Sequence, residues 1–226
     1  CTTNIINRLL KHSDGNVYAF CNRSVFKCSM NQTVETVFPD IAIPSPTYSV
    51  AQAPDKDIYI GTESNGLYIY SENWKLKKHV PIDGIIATIL PDNNGDIWLG
   101  LDETGICLFN KNKQTFTWLH KDNTNLNNNS IRTFVSYGDS SILVGTFRGL
   151  NILNKKELTI TPANINIAGK GGLSHYSIHS MLIDKDQTLW IGTYSAGVNY
   201  HSPFYRPVSY ITPNEYAGII GKGQQD

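Results

Sequence analysis

The chain lacks an excess of either charge, and it lacks any long apolar run. Lysine and arginine together number 19, as do aspartate and glutamate, so the formal net charge is zero. Phosphate neutralisation supplies most of the affinity for nucleic acid, so this balance argues against a nucleic-acid partner and against an anionic membrane surface. No apolar run approaches the roughly 20 residues of a membrane-spanning helix. Any export signal or membrane anchor of the parent protein is therefore expected outside these residues.

Cysteine is also scarce, and the four cysteines form no CxxC pair. Cys21 and Cys28 should flank one hairpin. A cross-strand disulfide and two half-buried thiols are both open, and the pair of thiols is favoured.

One short pattern, by contrast, occurs four times, at residues 58–62, 97–101, 142–146 and 189–193. The glycines of successive copies are 39, 45 and 47 residues apart, and a degenerate copy at 17–21 precedes the first by 41 residues. Units of roughly 40–45 residues that contain several short strands are typical of β-propeller blades. Helical solenoids share that unit length, but the helical spacing of apolar residues is missing here.

The clearest repeat predicts four strands, at 177–183, 189–193, 198–201 and 206–211. The other repeats align on it, which predicts an all-β propeller of four-stranded antiparallel blades. The repeats are placed at about 1–38, 39–80, 81–127, 128–173 and 174–213, and residues 214–226 are expected to begin a following blade or propeller. Seven such blades would need roughly 300 residues. The five blades are therefore expected to belong to a seven-bladed ring, and closure with five blades is the alternative.

Aromatic and glycine residues of the pattern have a structural explanation. The rings of Tyr59, Trp98 and Trp190 are expected to pack between blades, and the glycine that ends each second strand permits a close approach of the backbone. His175 and His179 have a spacing that can hold zinc on a helix, but the glutamate of HExxH is absent and the region is predicted to be loop and strand. We expect no metal site and no cofactor, and we expect His179 near the propeller axis.

Residues 92–100 and 184–193 combine an aspartate-led turn with the sequence Ile/Leu-Trp-Ile/Leu-Gly. With the following Gly197 and Val198, this pattern resembles the two-component regulator propeller repeat. The resemblance covers nearly all of the chain. It implies the extracytoplasmic sensor region of a hybrid two-component regulator of the kind best known in gut Bacteroidetes, where paired seven-bladed propellers sense products of polysaccharide breakdown.

That resemblance also implies a context for the chain. The parent protein would be a sensor histidine kinase anchored in the inner membrane, with this segment in the periplasm. The segment would be a sensor and not an enzyme, and no kinase nucleotide motif or helix-turn-helix is present here. Its partners would be an oligosaccharide, the adjacent propeller of the same chain and, in a homodimer, a second copy.

The geometry of a propeller predicts where a ligand binds. The turn between second and third strands and the link between blades open on the same face, and these segments vary most between repeats. Their aromatic rings could stack on sugars, their polar groups could bind hydroxyls, and Arg148 could bind a carboxylate or sulfate. The candidate ligand-binding residues are Glu63, Asn65, Asp102, Glu103, Phe147, Arg148, His175, Tyr176 and Tyr194.

Two other classes of function are open. A propeller glycoside hydrolase or lyase would need a pair of carboxylates facing each other, and Glu63, Asp102 and Glu103 are expected on one face. We assign no catalytic residue, because acidic turn residues are common. A protein-interaction scaffold would bind a protein instead of a glycan.

Overall fold

The computed structural model describes residues 5–21, 24–29, 33–37, 43–163, 172–203 and 205–211. Within these residues, twenty β-strands form five sheets, each with four antiparallel strands in sequence order. The predicted all-β propeller of four-stranded antiparallel blades is therefore confirmed. The segment 214–226, expected to begin a following blade, lies outside the described residues.

The blades occupy successive stretches of the chain. Blade 1 contains β1 (Ile6–Lys11), β2 (Val17–Cys21), β3 (Val25–Cys28) and β4 (Val34–Val37). Blade 2 contains β5 (Thr47–Gln52), β6 (Ile58–Thr62), β7 (Leu67–Tyr70) and β8 (Leu76–Val80). Blade 3 contains β9 (Ile86–Pro91), β10 (Asp96–Leu101), β11 (Gly105–Asn110) and β12 (Thr115–Leu119). Blade 4 contains β13 (Ile131–Tyr137), β14 (Ser141–Thr146), β15 (Gly149–Asn154) and β16 (Ile160–Pro162). Blade 5 contains β17 (Ile178–Ile183), β18 (Leu189–Thr193), β19 (Val198–Ser202) and β20 (Tyr205–Ile211).

The first strand of each blade lies innermost, around a common axis. β1 packs on β5, β5 on β9, β9 on β13 and β13 on β17. The first strands of the two terminal blades, β1 and β17, do not pack on each other to a similar extent. The described blades thus form an arc whose inner wall is made of five neighbouring strands.

The second strands of blades 1 to 4 are buried on both faces, as their continuous apolar sequences predict. In β10, Ile97 and Leu99 belong to the cluster shared with blade 2, whereas Trp98 belongs to the cluster shared with blade 4. Similar clusters fill the interfaces between blades 1 and 2 and between blades 4 and 5. Tyr59 and Trp98 are almost fully buried, which agrees with their expected position between blades.

A glycine in three second strands allows the next blade to approach closely. A Cβ built on any of these glycines would overlap the isoleucine that begins the following inner strand. Such distances are far below van der Waals contact, so no larger residue fits without a shift of the neighbouring blade. The Cβ to isoleucine Cγ2 distances are 2.7 Å for Gly61 and Ile86, 2.5 Å for Gly100 and Ile131, and 2.6 Å for Gly145 and Ile178.

The terminal blades expose the faces that inner blades bury. Trp190 of blade 5 is the counterpart of Trp98, but it is only half-buried, and it donates its indole N–H to Asp184 at 2.8 Å. Leu182 on the same blade is 60% exposed, and Leu9 of blade 1 is 64% exposed. The expectation that Trp190 packs between blades is thus met only in part, because no later blade follows it in the described residues.

The disulfide alternative for Cys21 and Cys28 is wrong. Cys28 pairs with Val17 at one end of the β2–β3 hairpin, whereas Cys21 lies at the other end, after the last pair Phe20 and Val25. Four residues of extended strand separate the two positions, a span of roughly 13 Å that exceeds the reach of a disulfide. Cys21, Cys28 and Cys107 are free thiols.

Replacing Gly100 by alanine is expected to lower the free energy of unfolding by about 1–3 kcal/mol, because the new Cβ overpacks the blade interface. Gly192→Ala is the matched control. Its Cβ would meet chiefly Ser180 Oγ, at 2.5 Å, which a rotation of the side chain can move away. Denaturant unfolding measures both variants. Equal losses would contradict the assignment of Gly100 to an inter-blade contact.

The thiols should differ in reactivity. Burial raises the pKa of Cys107 to about 12 and also raises the pKa of Cys21, whereas Cys28 is only partly buried. In a Cys1→Ser background, titration with an aromatic disulfide reagent should show one readily reacting thiol in the native protein. Three should react after unfolding without reductant. If only one thiol reacts after unfolding, Cys21 and Cys28 form a disulfide after all.

Candidate functional site

The turn between second and third strands has the same local structure in several blades. In blades 2 and 5, Thr62 Oγ1 donates to the carbonyl of Gly66 at 2.8 Å, and Thr193 Oγ1 donates to that of Gly197 at 2.9 Å. Both glycines have positive φ angles, +72° and +82°, which side-chain-bearing residues rarely adopt. A threonine before the turn and a glycine after it therefore hold the loop in place.

Each of these turns is tied to the link that enters its own blade. The backbone N–H of the first turn residue donates to a link carbonyl in blades 2 to 5. Turns and links therefore share one face, as the strand order requires. The bonds join Glu63 to Pro46, Asp102 to Ile85, Phe147 to Ser130 and Tyr194 to Ser177, at 3.0 Å in each case.

Four of the candidate residues thus occupy equivalent positions in successive blades. We name Glu63, Asp102, Phe147 and Tyr194 the turn ring. Glu63 is exposed, Phe147 is 41% exposed and Tyr194 is 72% exposed, whereas Asp102 is partly buried.

The remaining candidates lie beside the turn ring. In blade 5, the ring of His175 stacks on Tyr176 at 4.3 Å, and both residues directly precede Ser177, whose carbonyl accepts a hydrogen bond from the backbone N–H of Tyr194. Asn65 holds its place by backbone contacts, since its carbonyl lies 2.6 Å from His79 Nε2. Glu103 and Arg148 are exposed and are not among the described residues that line the axial cavity. The structure therefore assembles an aromatic group in blade 5 and leaves these two charged residues at the periphery.

A cavity of about 740 Å³ lies on the axis and is lined by all five blades. It is open to solvent. Its lining residues are Ile6, Asn7, Arg8, Pro46, Tyr48, Ser49, Val50, Glu63, Ala87, Thr88, Ile89, Arg132, Thr133, His179 and Ser180. Glu63 is the one candidate residue among them, and His179 lies near the axis as predicted.

A β-bulge near the start of every inner strand explains this lining. The register between first and second strands skips one residue in each blade, and that residue lines the cavity. Bulges re-aim side chains and are frequent beside functional sites. We name the five skipped residues the bulge ring: Asn7, Tyr48, Ala87, Arg132 and His179.

The residue after each bulge also lines the cavity. In blades 2 to 5 it carries a hydroxyl group, and in blade 1 it is Arg8. One of these hydroxyls is engaged within the protein, since Ser49 Oγ donates to the carbonyl of Ile86 at 2.6 Å. The hydroxyl-bearing positions are Ser49, Thr88, Thr133 and Ser180.

Arg132 connects the bulge ring to the turn ring. Its Nη1 lies 3.7 Å from Asp102 Oδ2, and its guanidinium carbon lies 5.9 Å from the centre of the Phe147 ring. On the other side of the arc, Arg8 lies 5.9 Å from the ring centre of Tyr48 and donates to the carbonyl of Asn7 at 2.8 Å. Two guanidinium groups thus lie at the cavity wall, each beside an aromatic ring.

Sequence reasoning missed Arg8, Tyr48 and Arg132, because it searched the loops and not the inner strands. A signal was present. The bulge residue stands 13 residues before the glycine of its repeat, as Arg132 does before Gly145, although the repeats differ in length. Comparing the repeats column by column at that offset would have exposed the bulge ring as a variable position.

An ionic cluster around the buried Asp57 occupies the opposite face, between blades 2 and 3. Lys111 Nζ lies 2.5 Å from Asp55 Oδ2 and 2.6 Å from the buried Asp57, which also pairs with Lys77. Burial favours the neutral forms of Lys111 and Asp55. The hydrogen bonds between their charged forms outweigh this effect, so the pKa of Lys111 is raised and the pKa of Asp55 is lowered. Because the charges satisfy one another, this cluster joins two blades and leaves no group for a ligand.

The described residues contain neither a cluster of metal-ligating side chains nor a membrane-spanning helix. No three His, Cys, Asp or Glu side chains in this part of the chain converge as metal ligands. No helix there has the length and apolar composition needed to cross a membrane.

Several solved structures share the fold. One is the extracellular domain of the putative one component system BT4673 from B. thetaiotaomicron, which is 18% identical to this chain with a TM-score of 0.73. The match covers 93% of this chain and 28% of the BT4673 chain. This chain is 18% identical, with a TM-score of 0.55, to the extracellular domain of the putative hybrid two component system BT3049 from B. thetaiotaomicron, covering 93% and 40%. An inactive virginiamycin B lyase from Staphylococcus aureus is 13% identical, with a TM-score of 0.69 and coverage of 96% and 72%.

Comparison with curated protein sequences finds no match. The chain spans about 28% of the first of the solved structures and 40% of the second. A family profile described as the two component regulator propeller matches residues 172–195. The resemblance inferred from the repeat pattern is thereby confirmed, and the chain has the propeller fold of extracellular domains from two-component systems.

Proposed function

We propose that this chain is the ligand-sensing part of a hybrid two-component regulator and that it binds an oligosaccharide at the mouth of the axial cavity. The observation that carries the proposal is the cavity itself, to which all five blades contribute polar or aromatic side chains. Concave sites with a few convergent polar groups are the usual places for small ligands. The regulator propeller match at residues 172–195 and the fold shared with extracellular sensor domains support the sensor role.

The chemistry of the mouth suits a sugar. Tyr176, Tyr194 and Phe147 are each at least 41% exposed, and they offer ring faces on the side where turns and links meet. Hydroxyl and amide groups of the inner wall can donate to and accept from sugar hydroxyls. Both kinds of contact lie within one face, so a ligand of a few sugar units could use them together.

Binding without turnover fits the carboxylates better than hydrolysis does. A glycosidase needs two carboxyl groups on either side of the scissile bond. Of the three acidic candidates, only Glu63 lines the cavity; Asp102 lies 3.7 Å from Arg132 and outside the cavity lining, and Glu103 is peripheral. The shared fold with virginiamycin B lyase keeps lyase chemistry as the second candidate, which an assay for product would reveal.

The cellular context follows from the same proposal. The parent protein would be a histidine kinase anchored in the inner membrane, with these blades in the periplasm beside a second propeller, and a homodimer would be the signalling unit. Further blades would cover the exposed apolar faces around Leu9 and Leu182 and complete a seven-bladed ring. Ligand binding would then favour one arrangement of the packed propellers over another.

Tyr194→Ala is expected to weaken oligosaccharide binding by about 2- to 10-fold, because a stacked ring contributes about 0.5–1.5 kcal/mol beyond its buried area. The measurement is calorimetric titration of the natural protein with a panel of plant and host glycans.

Tyr137→Ala is the matched control. Tyr137 is also exposed, at 52%, but it ends β13 on the opposite face of blade 4. It should leave affinity unchanged. An equal effect of both variants, or binding of a protein and of no glycan, would contradict the proposal, and release of a cleaved product would favour the enzyme.

A further inference from the structure

The bulge ring varies in chemistry while the structure around it repeats. Each bulge residue directly follows the first residue of its inner strand. It precedes the residue that pairs with the second-strand glycine in blades 2 to 5 and with Phe20 in blade 1. At this one position the five blades present an amide, a phenol, a methyl group, a guanidinium and an imidazole. A constant scaffold with a variable side chain at one place is the arrangement that selects a ligand.

The cavity wall carries two arginine side chains, Arg8 and Arg132, and one carboxylate, Glu63; within the described residues neither guanidinium donates a hydrogen bond to a carboxylate. Within the described residues, Arg8 forms no ion pair, and its guanidinium donates to a backbone carbonyl of its own strand. Arg132 has one acidic neighbour, Asp102, but their 3.7 Å separation exceeds hydrogen-bond length. Most N–H donors of both guanidinium groups therefore remain available.

Guanidinium groups suit one class of ligand group above others. Their planar set of donors matches the two oxygens of a carboxylate, or two of the three of a sulfate, in a bidentate pair. Contacts of the two groups with Tyr48 and Phe147 limit their rotation. An arginine side chain held in this way loses less conformational entropy when the ligand binds.

We propose that the bulge ring is the specificity-determining part of the site and that Arg132 and Arg8 bind an acidic group, carboxylate or sulfate, on the ligand. This rests on the proposed function, because it names the class of oligosaccharide that the same mouth would take. The neutral part of such a ligand would contact the turn ring, and its acidic group would enter the cavity.

The test compares charged probes with neutral probes of matched size. The natural protein is titrated with oligogalacturonate and with its methyl ester, and with a sulfated galactan oligosaccharide and its desulfated form. At least one acidic probe should bind 10-fold or more tighter than its neutral partner, since a charge-assisted hydrogen bond is worth roughly 1.5–3 kcal/mol. The pair that responds distinguishes carboxylate from sulfate. Added salt should weaken that binding and leave neutral probes unaffected.

Three variants assign the effect to residues. Arg132→Gln should weaken binding of the acidic probe roughly 10- to 100-fold and change binding of a neutral probe little. Asp102→Asn, which removes the competing carboxylate, should strengthen binding of the acidic probe. Arg148→Gln makes the same charge change as Arg132→Gln on the same face but outside the cavity, and it should change affinity by less than about threefold.

The outcomes separate the two proposals. Equal binding of acidic and neutral probes, no binding of either acidic probe, or a loss caused by Arg148→Gln and not by Arg132→Gln would overturn the bulge-ring proposal. If neutral glycans bind in any of these cases, the proposal that the chain senses an oligosaccharide still stands. If acidic compounds that are not sugars, such as citrate, bind through Arg132 while no glycan does, the bulge ring is supported and the oligosaccharide proposal fails. Thermal unfolding of every variant confirms that the fold is retained.

Discussion

The fold depends on one contact, repeated at successive interfaces, in which a glycine of one blade receives an isoleucine of the next. The missing side chain of Gly100 leaves the space that Ile131 fills, and the short distance fixes how far apart the blades lie. Blade 1 varies this arrangement, because Phe20 replaces the glycine and Thr47, a smaller residue, begins the next inner strand. The larger Phe20 and the smaller Thr47 together fill this interface, as the glycine and the isoleucine do in the others.

This packing contact also positions the candidate site. Ile131 is followed directly by the bulge residue Arg132, and Ile178 by His179. A bulge that adjoins a close-packed residue cannot slide along the strand, because any slip would move the isoleucine out of its place against the glycine. The residue aimed at the axis is therefore held by the most tightly packed position of the blade, which is what an ordered binding site requires.

The sequence predicted those features that leave a periodic trace. Strand alternation and turn residues identified the blades, and the strand order of a blade placed Glu63, Asp102, Phe147 and Tyr194 on one face. Strand alternation could not show the bulge, because a bulge is a property of the register between two strands and not of either strand alone; only its constant distance before the glycine of the repeat marked its position. The two free thiols that the sequence favoured are confirmed, and the disulfide alternative fails for a related reason, since Cys21 lies near the turn of its hairpin and Cys28 at the far end of the register.

The same geometry explains how a bound ligand could be sensed. The cavity is made of inner strands that touch one another but belong to different sheets, so side chains on blades 1 and 4 can contact one ligand while their blades remain separate units. A ligand that binds both Arg8 and Arg132 interacts best with one spacing of the blades. Its binding free energy then favours that spacing by the difference in affinity between arrangements, and a ligand that contacts one blade only favours none. A site spread over several blades is therefore suited to a sensor, since ligand affinity and blade arrangement become coupled through the same side chains.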